Sequence, residues 1–102
     1  MKLTDILTDS SKWTKRCNAR NKYGQELEYS SDPQAVCWCL AAAANRLPVG
    51  EVDATIQQLA VTIKELFPTR IGAYQATVAI VTYFNDNIAT TFEDIQRVIT
   101  SL

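Results

Sequence analysis

The sequence predicts a mainly α protein: a compact bundle of about five helices with a short β-hairpin-like arm near the N-terminus, in a single helical domain spanning 1–102. Three observations predict it. Apolar residues recur every three or four positions through the second half of the chain, alanine fills positions 41–44, and turn-forming residues break the chain into short segments. The composition, 47% hydrophobic and 21% charged, is that of an ordinary globular core.

Each element follows from its residues. Leu3, Ile6 and Leu7 at helical spacing behind Thr4 predict a short first helix, capped by Thr4 and ending near Ser10 and Ser11. Residues 12–30 carry no helical period, and Gly24 separates two stretches suited to pairing as short strands. Asp32 and Pro33 supply a cap and a first-turn proline, which predict a helix from there to Arg46, stopped by Leu47-Pro48-Val49-Gly50. Val52, Ile56, Leu59, Ile63 and Leu66 form one stripe, an amphipathic helix closed by Pro68. From Ile71 to Phe84, β-branched and aromatic residues suit a buried strand, while Ile71, Tyr74, Val78 and Val81 keep helical spacing; length favours the helix. Asn85-Asp86-Asn87 reads as a turn. Thr90 to Glu93 fits a capping box, followed by a last apolar face at Phe92, Ile95, Val98, Ile99 and Leu102.

The residues argue against several chemistries. Cys37 and Cys39 flank Trp38 within the helix expected over 32–46, where side chains two apart diverge by about 200°, so the pair does not chelate or bridge. With no histidine in the chain, a zinc site lacks ligands and the usual nucleophile–base arrangements lack their base. We therefore expect no catalytic residues, no metal and no cofactor. Both cysteines read as small buried hydrophobes, and the alanine run predicts a central helix with Trp38 filling space at one end. Glycines at 24, 50 and 72 are too scattered for a phosphate loop. Net charge −1 gives no global attraction to nucleic acid or membrane, no apolar run approaches the roughly 20 residues of a bilayer span, and three thiols suit the cytoplasm.

The strongest surface signal is basic. Lys12, Lys15, Arg16, Arg20 and Lys22 are half of the ten basic residues, beside Trp13 and Tyr23 and without an intervening acid. Such a cluster suits an acidic partner protein or a phosphate backbone, while Glu26 and Glu28 are placed to pair with it across a hairpin.

The order Trp13-Thr14, Ala19-Arg20 with Gly24, Asp32-Pro33, Ala35, Trp38-Cys39-Leu40, then Phe84-Asn85-Asp86 and Thr90-Thr91 resembles a family of small uncharacterised proteins of bacteria and their phages. The resemblance covers nearly the whole chain. It departs at Ala42, where glycine is commoner, and at Phe84, where tryptophan is. It implies a shared fold, no known activity, and Trp13, Arg20, Trp38, Cys39, Asn85 and Asp86 as residues of interest.

Two functional readings follow. The first is a non-catalytic interaction or regulatory module, phage-related, in which Trp13, Lys15, Arg16, Arg20, Lys22, Asn85 and Asp86 meet a protein partner, with nucleic acid as the second choice. The other is a small enzyme or ligand binder whose pocket gathers Arg20, Cys39, Asn85 and Asp86. A monomer or weak homodimer is expected, since the stripe at 52–66 is too short for a coiled coil and suits the protein's own core.

Overall fold

A computed structural model describes all residues, 1–102. Five helices, α1 (Leu3–Ile6), α2 (Leu40–Ala44), α3 (Val49–Leu66), α4 (Thr77–Asp86) and α5 (Phe92–Thr100), enclose the core, with 3₁₀ turns at Ser10–Lys12 and Pro68–Arg70. Three two-residue strands, β1 (Ala19–Arg20), β2 (Glu26–Leu27) and β3 (Cys37–Trp38), form an antiparallel sheet in the order β2-β1-β3. No helix is long and apolar enough to cross a membrane.

The α3 stripe behaves as its spacing predicts. Ile56, Leu59 and Ile63 are buried, Val52 and Leu66 pack at the edge of the same core, and α4 and α5 lie against that face. Helix α2 is central, as the alanines require: Leu40, Ala42, Ala43 and Ala44 are all sealed, and α1, α3 and α4 pack around it. Small side chains permit that many close neighbours.

Several boundaries differ from the expectations. The first helix is a single turn that ends at Ile6, and its cap is not Thr4: the Asp5 carboxylate accepts the Lys2 backbone N–H at 2.8 Å. Asp9 then starts a separate 3₁₀ turn by accepting the Ser11 N–H at 2.9 Å, which explains why the helix does not reach Ser10.

The expected helix over 32–46 is the largest correction. Asp32 and Pro33 make only a local turn, with the Asp32 side chain accepting the Gln34 N–H at 2.8 Å. The chain then runs extended, pairing Cys37 with Arg20 and Trp38 with Ala19, and helix begins only at Leu40. Backbone partners outside the segment decide this: Val36 donates to the Arg20 carbonyl at 2.9 Å and the Trp38 carbonyl accepts from Thr14 at 3.0 Å. In extended backbone residues two apart share a side, so helical divergence is not what separates Cys37 from Cys39. All three cysteines are free thiols.

The hairpin pairs as expected, Ala19 with Leu27 and Arg20 with Glu26. It is not a projecting arm, because β1 is the middle strand and β3 ties it to α2.

The segment 71–84 is half helix. Residues 71–76 form a turn through Gly72 at φ 59°, and α4 starts at Thr77. That start sets a different phase from the expected stripe: Ile80, Val81, Phe84 and Asn85 point inward, while Tyr74 and Val78 are exposed. Asn85 and Asp86 are accordingly the last turn of α4, and the expected turn begins at Asn87, whose side chain accepts the Ala89 N–H at 2.9 Å. The capping box of α5 falls one residue later than expected, on Thr91 and Asp94 rather than Thr90 and Glu93. Ile95, Val98 and Ile99 are buried there, but Leu102 is exposed.

Candidate functional site

The residues singled out from sequence meet around Asn85. Its side chain, 1% exposed, accepts from the Trp13 indole Nε1 at 2.7 Å and from the Leu40 backbone N–H at 2.9 Å. It donates to the Thr14 carbonyl at 3.1 Å and to Asp86 Oδ1 at 3.0 Å. Two acceptor and two donor positions are the whole capacity of a primary amide, so Asn85 has nothing left to offer a ligand. Its role is to join the segment before β1, the first N–H of α2 and the end of α4.

Asp86 Oδ1 also accepts the Arg16 N–H at 2.8 Å. Arg16 stands at φ 68°, a left-handed conformation that costs a non-glycine residue about 1 kcal/mol or more. The bond to Asp86 holds that turn against α4, and the Arg16 side chain remains exposed.

Cys39 caps α2, its Sγ accepting the Ala42 N–H at 3.4 Å. Burial pushes the thiol above its usual range, against the lowering effect of the Ala42 N–H. Such a thiol is a poor nucleophile. Cys17 is raised as well, again chiefly by burial. Arg20 is engaged inside the sheet, with Nε donating to Thr14 Oγ1 at 2.9 Å, Nη1 to the Gly24 carbonyl at 3.0 Å, and Glu26 at 3.7 Å from Nη2. Asn85 bonds to Asp86 and shares Thr14 with Arg20, the Cys39 thiol bonds elsewhere, to Ala42, and none of the five main hollows gathers the four residues.

The five clustered cations are dispersed by the fold. Lys15 Nζ donates to the Asn87 carbonyl at 2.7 Å and lies 5.4 Å from the Trp13 ring centre. Burial, then the Arg16 charge, lowers its pKa. Lys22 lies 5.1 Å over the Tyr23 ring at the hairpin end, beside a hollow shared with Asn21, Gln34 and Val36. Lys12 lines a different depression, with Asp5, Trp38 and Arg46. Glu26 pairs across the hairpin as expected, whereas Glu28 makes no ion pair.

Sequence reading missed what adjoins Asp86. Tyr83 and Tyr74 pack with tilted rings at 5.0 Å between centres, and Gly72 passes so close that a Cβ there would stand 3.3 Å from the Tyr83 ring. With Ala79, Thr82 and Asp86 they line a shallow hollow of about 310 Å³, and Asp86, Asn87 and the 89%-exposed Ile88 line its neighbour. A visible signal was the absence of any charged residue from Ile71 to Phe84, which allows an apolar outer face as well as a buried one.

Comparison with protein families matches residues 2–101 to a family of unknown function, DUF6197. The chain belongs to this family. Membership in DUF6197 extends over essentially the whole fold, so the Asn85 junction and the Arg16 turn both lie within the matched region. No curated protein and no solved structure matches this DUF6197 member.

Proposed function

We propose that this protein is a non-catalytic interaction module that binds an acidic partner protein, in the cytoplasm of a bacterium or in a phage context. One observation carries the reading: Asp86 holds the backbone of the strained, exposed Arg16 and also lines a shallow hollow with the exposed Tyr83 and Ile88. Exposed tyrosine, arginine and a branched apolar residue gathered around one aspartate have the composition of a protein-binding centre. Lys15 beside them adds positive charge that favours an acidic partner. Strain at an exposed basic residue also has a use here, since it orients the side chain before the partner arrives.

The test is affinity capture from the native host with wild type, Arg16→Glu and Ile88→Asp, followed by titration of the purified partner. Both exposed substitutions should weaken the same partner about tenfold or more while leaving the folded spectrum unchanged. Equal binding by all three forms would overturn the reading. Salt-dependent binding of an oligonucleotide with no protein partner would replace it by the nucleic-acid alternative.

A further inference from the structure

A second, independent cluster forms where α5 meets the turn after α3. The Arg70 guanidinium lies 4.9 Å and the Arg97 guanidinium 5.4 Å from the centre of the same Phe67 ring. Arg70 is ion-paired with Asp94, which also accepts the Thr91 N–H at 3.0 Å. Arg97 has no ion pair, although Glu93 stands one turn before it on α5.

We propose that Arg70 and Arg97 form a binding site for a phosphate-type oxyanion. Both guanidinium groups lie against the one Phe67 ring, and a carboxylate engages only that of Arg70. Asp94 is taken by Arg70, and Arg97 keeps its charge without an ion pair. Contact with Phe67 restrains both side chains, so less side-chain freedom is lost when an anion binds. Arginine forks suit the several acceptor oxygens of a phosphate group, where a chloride ion offers only a point charge. The chemistry is shared by free phosphate and by a phosphorylated side chain of another protein.

The full chain is titrated by NMR with inorganic phosphate, O-phosphoserine, acetate and chloride. Saturable shifts centred on Phe67, Arg70 and Arg97 are expected with inorganic phosphate, O-phosphoserine or both, and not with acetate or chloride. Saturation by both probes means the site reads the phosphate group alone; saturation by O-phosphoserine only means it reads a phosphorylated side chain. Arg97→Gln should weaken binding about tenfold and Arg97→Lys less. Linear shifts of similar size for all four probes, or equal binding by wild type and Arg97→Gln, would overturn the proposal. If Arg97→Gln unfolds, the four-probe comparison on wild type still decides.

Discussion

The indole of Trp13 donates a 2.7 Å hydrogen bond to the amide oxygen of Asn85, a partner 72 positions away in sequence. The same oxygen accepts the first N–H of α2, so one buried atom closes a helix end and fastens the segment before the sheet.

Truncating Asn85 therefore orphans several groups at once. Asn85→Ala should destabilise the protein by about 3 kcal/mol, since buried donors left unpaired cost about 1–3 kcal/mol each. Trp13→Phe, which removes one donor and keeps an aromatic ring, should lose less. Urea denaturation of both variants and their double mutant measures the coupling; equal losses would refute a shared junction.

Arg16 gives a cleaner comparison. Both Arg16→Gly and Arg16→Ala delete the side chain, but only glycine relaxes at φ 68°. Arg16→Gly should be the more stable by about 1 kcal/mol. An alanine variant as stable as the glycine one would mean that the turn carries no strain.

Ala43 is fully buried in α2, with helices on several sides. Ala43→Leu should overpack the core and cost about 1–3 kcal/mol. Thermal denaturation is the check, and an unchanged midpoint would contradict the close packing described above.

Asp94 sets an acid dependence. Partial burial pushes its carboxyl up, but the Thr91 N–H and Arg70 outweigh that and hold it below its ordinary 3.8. A depressed carboxylate contributes stability that is present above 3.8 and is lost as the pH falls through the folded value. Asp94→Asn should be less stable than wild type by about 1 kcal/mol at neutral pH. The gap should close in acid. A gap that does not vary with pH would remove the linkage.

Cys39 should resist alkylation in the folded protein and react only on unfolding, because its thiol is buried, engaged with the Ala42 N–H and raised above its usual range. Cys17 and Cys37, both partly exposed, serve as internal references. Mass spectrometry after native and denaturing treatment reads this directly. Native modification of Cys39 at the rate of the unfolded chain would reopen the question of its reactivity.

What the sequence by itself determined was whatever local periodicity and capping chemistry control: the α3 stripe, the alanine-lined central helix, the hairpin around Gly24, and an α5 start within one residue. Tertiary structure decided the rest. Residues 36–39 have helical flanking signals, yet Arg20, Asn18 and Thr14 supply backbone partners that an isolated segment lacks, and those hold the chain extended. Asn85 reads as a turn residue until its four partners, drawn from three separate segments, show that burial inside a helix satisfies it completely. The candidate surfaces divide in the same way. Arg16 is conspicuous in a basic run, but its strained turn is held by Asp86, and Arg97 acquires meaning only because it shares the Phe67 ring with Arg70. Hydrogen bonds and charge pairs between distant segments leave no periodic trace along the chain, so only the folded arrangement reveals them.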